Sequence, residues 1–311
     1  MIKLDLPSGI PAEAVVLGIG VFDGVHLGHR RIISEVVEMG RRTRALPVAV
    51  TFVPHPREVL GCPPPPRLLM PPEERLRRLR EAGAAGVGII DFSQSIAQTS
   101  PAEFVEALMA THPPVRGICV GAHWRFGRGG AGDTAFLAGE LKRRGIAFKA
   151  IPELRIGNEI VSSSMIRDAI AAGDLRLASS MLGSSPKLYG TVECGHRLAG
   201  RVLHAPTANL HVEFGVLPPD GVYAVRAVAG GKVFPAVANI GLSPTFGDGN
   251  GRRVETHIPD FSGDLYRQKL EVEIVAKLRD EKRFTAPAEL EAQIRADIVN
   301  AMRLLKPEVN G

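Results

Sequence analysis

Residues 15–21 form an apolar run that stops at Phe22-Asp23-Gly24, and residues 27–40 then carry apolar side chains at helical spacing. The chain therefore opens as strand, turn, helix. Strand-like runs at 47–53, 86–91, 115–121 and 147–152 alternate with helix-like stretches at 72–82, 101–110 and 134–144. Such alternation predicts a parallel sheet covered by helices, a doubly wound α/β domain. Residues 163–182 read as a helix or helix pair, after which Gly183-Ser184-Ser185-Pro186 breaks the rhythm with turn-forming residues. Beyond it, β-type runs at 187–193, 221–229, 232–240, 253–258 and 268–276 follow one another without helices, and a helical pattern at 286–305 closes the chain. This part predicts a small antiparallel barrel with a C-terminal helix. The expected domains are 1–183 and 187–311.

Length agrees, because 311 residues exceed what one hydrophobic core usually serves. An apolar fraction of 45% is enough for two cores, and a net charge of +5 permits anionic small molecules without demanding them. Cys62, Cys119 and Cys194 are far apart and outside any CxxC spacing, which supports neither a disulfide framework nor a zinc site. An early acid, Asp5, and Pro7 fall where a signal peptide would carry its apolar region, and no run reaches membrane-span length, so a cytoplasmic protein is expected. Arginines cluster at 41–44 and 75–80. On a helix the second cluster should bury Leu76 and Leu79 and expose the arginines, a solvated face without the aromatic residues of a nucleic-acid surface. Neither nucleic acid nor membrane is expected as a partner, and oligomeric state is not readable.

Two segments carry candidate chemistry. In Gly20-Val21-Phe22-Asp23-Gly24-Val25-His26-Leu27-Gly28-His29 a first strand turns into a first helix, whose free N–H groups and positive dipole end suit a phosphate. His26 and His29, three apart, share a helix face and can donate hydrogen bonds to phosphate oxygens. The third glycine of a dinucleotide fingerprint is absent, its place taken by Asp23, and no Walker lysine follows. In the second segment, Gly190, Gly195 and Gly200 recur at intervals of five before Arg201 and Pro206-Thr207-Ala208-Asn209. Glycines let backbone N–H groups approach phosphate closely. Thr207 and Asn209, two apart on an extended segment, point to one face and offer oxygen ligands for Mg²⁺.

The HxGH arrangement, with Thr51-Phe52-Val53-Pro54-His55-Pro56 and Ser162-Ser163-Ser164-Met165-Ile166-Arg167, resembles the nucleotidyltransferase superfamily and within it the adenylyltransferase domain of bifunctional bacterial riboflavin kinase/FAD synthetases. The second half is similar to the kinase domain of the same family. The matching segments run from the glycine-rich stretch and PTAN through Gly221-Val222-Tyr223, Ala238-Asn239-Ile240-Gly241, Val254-Glu255-Thr256-His257-Ile258 and the 260–266 and 278–284 segments. The resemblance implies a nucleotidyltransferase-type α/β domain and a closed six-stranded barrel, with riboflavin, FMN and ATP as substrates and Mg²⁺ as cofactor. Gly20, Phe22, Asp23, Gly24, His26, His29, Ser163, Ser164 and Arg167 would then serve ATP and phosphate in the first site, and His55, Pro56 and Asp133 the flavin side. In the second site, ATP lies under the Gly190, Gly195, Gly200 and Arg201 flap, with Mg²⁺ at Thr207 and Asn209. Glu255 is the expected base for the ribityl 5′-hydroxyl, with His257 supporting it.

Departures from the family pattern fall in two places. In the 120–133 loop, Ala122, His123, Trp124 and Gly130 replace the usual residues, and an imidazole is a poor ligand for a hard cation. In 203–206, His204 and Ala205 stand where glycine and an aromatic residue are usual. Three readings stay open: a bifunctional enzyme, a kinase with a degenerate first domain, and a flavin-binding regulator without turnover.

Overall fold

The computed structural model describes residues 2–5, 13–61, 63–193, 207–242, 252–259, 261, 263–282 and 284–306. It divides into two compact units, 1–66 with 72–163, and 67–71 with 164–311.

The first unit is a sheet of strands β1 (Ile2–Asp5), β2 (Val15–Ile19), β3 (Leu46–Val53), β4 (Gly86–Asp91), β5 (Val115–Gly121) and β6 (Ala147–Ile151), in the order β1-β4-β3-β2-β5-β6. Five strands run parallel, and β1 joins the edge antiparallel to β4. Sequence periodicity did not announce β1. Every residue of β2 is buried, as expected of a parallel strand covered on both faces. Helix α1 (Leu27–Thr43) presses Ile32, Ile33 and Val36 toward the sheet. Helices α5 (Pro101–Met109) and α6 (Thr134–Arg143) contribute Phe104, Leu108, Leu137 and Leu141 to the core that contains Val15, Leu17 and Ile19. Short helices α2 (Pro56–Val59) and α4 (Gln94–Ala97), helix α3 (Pro72–Glu81) and the hairpin β7 (Arg155–Ile156) and β8 (Glu159–Ile160) complete the unit. The order reverses at β2, with β3 on one side and β5 on the other, and such switch points leave a crevice at the carboxyl ends of the strands.

The second unit is a closed barrel of β9 (Lys187–Glu193), β10 (Thr207–Phe214), β11 (Gly221–Ala229), β12 (Lys232–Leu242), β13 (Arg252–His257) and β14 (Lys269–Arg279), paired in the order β10-β13-β12-β11-β14-β9. Inward residues alternate along each strand, with Ala208 and Leu210, Ala236 and Ala238, and Val272 and Ile274 among those meeting in the interior. Ala208, Ala227, Ala229, Ala236 and Ala238 make room among the larger Val, Leu and Ile side chains of a narrow six-stranded interior. Helices α7 (Ser163–Ala172) and α8 (Leu175–Leu182) precede the barrel, and Leu175 enters its core. Helix α9 (Pro287–Leu305) covers the outside, where Ala301 and Leu305 pack on Val222, Ala224 and Val237. Arg279 at the end of β14 grips Asp297 of α9 through both carboxylate oxygens, with Nη2–Oδ2 at 2.8 Å, and Gln293 adds a hydrogen bond at 3.0 Å. Asp297 is only 3% exposed, so removing Arg279 would leave a buried charge without its partner.

Gly190 sits where β9 crosses β10, and a Cβ there would lie 1.9 Å from the carbonyl oxygen of His211. The neighbour is backbone and cannot rotate away. Gly190→Ala is therefore expected to lose about 1–3 kcal/mol of stability, read as a lowered Tm in thermal denaturation.

Candidate active sites

In the first unit the turn from β2 into α1 holds a strained path. Phe22 (φ 54°) and Val25 (φ 41°) take left-handed conformations without being glycine, beside Gly24 at φ 86°. Such conformations cost about 1–3 kcal/mol each and collect where function requires them. Their effect is to bury Phe22, Asp23 and Val25 and to start α1 at His26. His26 is the N-cap, its Nδ1 accepting from the His29 N–H at 3.3 Å. The two imidazoles stack with centroids 3.5 Å apart, and Phe22 meets the His29 ring edge-on at 5.2 Å. Burial pushes the His29 pKa well below its ordinary 6.5, and the nearby His26 and Arg75 push it the same way. His29 Nδ1 is buried without a hydrogen-bond partner.

The segments expected beside this turn arrive as the strand order dictates. His55, after β3, is buried and caps α2, its Nδ1 accepting from the Arg57 N–H at 3.1 Å, with Pro56 in the first helical position. Asp133, in the loop after β5, caps α6 by accepting from the Phe136 N–H at 2.8 Å. Ser163 Oγ donates to the Asp23 carbonyl at 2.9 Å. Ser164 and Arg167 belong to the second compact unit, where Arg167 Nε donates to the Arg67 carbonyl at 2.9 Å. His123 is exposed and lies 3.4 Å from Glu153, while Arg125 reaches Asp133 at 4.0 Å. Gly130 has φ 68°, so glycine suits the local backbone at this departure from the family pattern. Trp124 stacks on Phe126 with centroids 4.7 Å apart, next to Phe104.

Arg75, expected on the solvated face of its helix, is 1% exposed. Its Nη1 donates to Val21 O (3.1 Å), Thr51 Oγ1 (3.2 Å) and Phe52 O (3.2 Å), and Thr51 Oγ1 itself donates to Val21 O at 2.8 Å. Spacing held a signal for this, since Arg75 is four residues from fully buried Leu79 and shares its face of α3. Leu76, expected in the core, is partly exposed, and Arg78, expected in solvent, has a side chain only 10% exposed and paired with Glu74 at 2.7 Å; Arg77 and Arg80 are exposed as expected.

In the barrel, register builds the second site. Asn209 of β10 pairs with Glu255 of β13, and Glu255 pairs on its other flank with Asn239 of β12. The next row is Thr207, His257 and Val237. Because Ala208, Thr256 and Ala238 form the buried row between these two, Thr207, Asn209, Glu255 and Asn239 share the outward face. This is the face on which α9 covers Val237. Burial raises the Glu255 pKa above its ordinary 4.5, against a smaller lowering by Arg253. Asn239, absent from the expected site residues, donates to Glu281 Oε1 at 3.4 Å. Only the barrel register reveals that it flanks Glu255. Gly195, Gly200, Arg201, His204 and Ala205 lie outside the described residues.

Two family models match the chain, FAD synthetase over residues 10–165 and riboflavin kinase over residues 182–305. A bifunctional riboflavin kinase/FMN adenylyltransferase of Escherichia coli K12 is 38% identical over 94% of each chain. The chain belongs to that family. The Pseudomonas fluorescens member is 35% identical over 95% of this chain and 94% of its own. A solved structure described as a macrolide-efflux protein from Streptococcus pneumoniae shares the fold with a TM-score of 0.79 and 28% identity, over 93% of each chain. Among the described residues no helix is long and apolar enough to cross a membrane.

The His29 shift has a stability consequence. The unfolded chain takes up a proton near the ordinary value of 6.5, whereas the folded chain resists until lower pH. Stability from this group is thus present above 6.5 and is lost as pH falls through the folded pKa. Thermal denaturation from pH 7.5 to 5 should show a smaller acid-side fall in Tm for His29→Gln than for wild type.

Proposed function

We propose that the second unit transfers the γ-phosphoryl of ATP to the 5′-hydroxyl of riboflavin, and that the first transfers the adenylyl group of ATP to the resulting FMN, releasing pyrophosphate. The functional boundary in this reading lies between 183 and 187, close to the edge of the kinase match at 182. The observation that carries it is the Asn209–Glu255–Asn239 row, a partly desolvated carboxylate flanked by two amides on one barrel face.

For the kinase step, a base must accept the hydroxyl proton as the oxygen–phosphorus bond forms. Glu255 suits that role because burial has made its carboxylate more basic than a solvated one. Thr207 and Asn209 present oxygen donors on the same face, which suits a hard divalent cation such as Mg²⁺. When bound, that ion neutralises charge on the ATP phosphates. Gly190, and by family likeness Gly195, Gly200 and Arg201, would serve the nucleotide.

For the adenylyl step, an FMN phosphate oxygen attacks the α-phosphorus and the bond to the β-phosphate oxygen breaks. No protein nucleophile is needed, so the site must position donors around developing charge. The N-terminus of α1, His26 and His29 supply them from one rigid turn. By family likeness His55, Pro56 and Asp133 would serve the flavin side. The reaction uses riboflavin, FMN and ATP in the cytoplasm, with neither nucleic acid nor membrane as a partner. A kinase-only reading draws on one observation, the exposed His123 paired with Glu153 where the family usually has an acid or amide.

Chromatography of riboflavin, FMN and FAD after incubation with Mg-ATP tests both steps. FMN and then FAD are expected to accumulate. FMN alone would establish the kinase-only reading, and neither product would overturn both. Glu255→Gln should cut FMN formation by about 10²–10⁴-fold while FAD formation from supplied FMN persists. Ionisation of Glu255 is required, so the wild-type kinase rate should fall on acidification above the ordinary carboxylate range.

A further inference from the structure

Arg75 is a charged group that the mechanism above does not use, yet it lies beneath the first site. It reaches from α3 under the turn and ties three oxygens together: Val21 O at the start of the turn, Thr51 Oγ1 within β3, and Phe52 O near the end of β3. The three oxygens it bonds do not by themselves ask for a cation. A buried charge costs several kcal/mol of desolvation, and neutral oxygens are satisfied equally well by neutral donors. All three acceptors of Arg75 are neutral, and its Nε is buried without a hydrogen-bond partner. Asp23, wholly buried in the turn, and Glu58 of α2 are the carboxylates that favour its charged form.

We infer that Arg75 is a positioning residue for adenylyl transfer. Its Nη1 ties the start of the turn at Val21 to Thr51 and Phe52 of β3, and its charge faces the carboxylates of buried Asp23 and of Glu58. The inference rests on the proposed adenylyl-transfer reading of this site. Two actions follow from the geometry. Holding Val21 and Thr51 fixes where the strained Phe22 and Val25 deliver His26 and the first turn of α1. Burial disfavours a positive charge on the His29 ring, and nearby His26 and then Arg75 add to that in the same direction. The charged groups that act on His29 are His26, stacked on it, and Arg75 from α3. Asp23 and Glu58 in turn act on Arg75.

The test uses the full chain with Arg75→Met and Arg75→Lys, measuring FAD formation from FMN against pH, riboflavin kinase rate, and NMR titration of the His29 ring. Arg75→Met should lower kcat for FAD formation by about 10- to 100-fold, leave the kinase rate within about twofold because that site is in the other unit, and move the His29 titration to higher pH. Arg75→Lys keeps the charge but is one atom shorter, so its Nζ stops short of the three oxygens that Nη1 holds; it should restore the His29 titration while kcat stays below wild type. An unchanged His29 titration in Arg75→Met, or kinase and adenylyl activities falling together with Tm, would overturn the inference. If Arg75→Met does not fold, Arg75→Lys decides alone, and a kcat equal to wild type overturns it. Absence of FAD formation in wild type would defeat the adenylyl-transfer reading itself. The NMR titration would still report whether Arg75 sets the state of His29.

Discussion

In a parallel sheet every strand leaves its carboxyl end on the same side, and in a closed antiparallel barrel every strand is flanked on both sides. These two consequences of backbone hydrogen bonding place the His26, His55 and Asp133 segments in one unit and the Thr207, Asn209 and Glu255 face in the other. The loops after β3, β2 and β5 leave neighbouring strands at one edge, and they carry His55, the Gly20–His29 turn and Asp133. In the barrel, Glu255 is flanked by Asn209 and Asn239 because β13 lies between β10 and β12. A one-residue slip of β13 would send Glu255 into the interior and bring Val254 or Thr256 to the reactive face. The buried rows of Ala208, Thr256 and Ala238 are thus as necessary to the chemistry as the polar row beside them.

Both units hold ionisable groups away from water, to opposite effect. In the barrel, burial makes a carboxylate more willing to accept a proton. In the sheet domain, burial and neighbouring positive charge make an imidazole less willing to take one. In the proposed mechanism the proton-accepting group would stand where a hydroxyl is deprotonated, and the imidazole where phosphate groups exchange partners without a protein base. Each arrangement costs stability, which the surrounding cores supply. Full burial of one large aliphatic side chain contributes about 1.5–3 kcal/mol, and both cores contain many.

Periodicity alone exposed the α/β rhythm, the break at 183–186 and the all-β second half, because long buried strands and amphipathic helices leave repeated signals. It missed barrel strand β10, which was not among the β-type runs, as well as β1 and the β7–β8 hairpin, whose strands are too short to show a period, and the four-residue helices α2 and α4. Motifs located the Gly20–His29 turn and the Thr207, Asn209 and Glu255 positions. They did not show that Asn239 flanks Glu255, since that depends on a register between strands distant in sequence. Arg75 was misread for a different reason. Composition makes an arginine-rich helix look solvated, and only the face shared with Leu79 marks this arginine as the buried one.

The two outer strands of the sheet bear on how the chain behaves while crowded with copies of itself. Unpaired strand edges are templates for intermolecular pairing. On one side β4 is sealed by β1, a strand of four residues that offers little length to a stranger. On the other, β6 carries Lys149, tied to Glu35 of α1 at 2.5 Å, so a lysine charge marks the middle of that edge. A shortened rim and a charged one give a newly made chain little to recruit with, and favour closing on itself before it meets a neighbour.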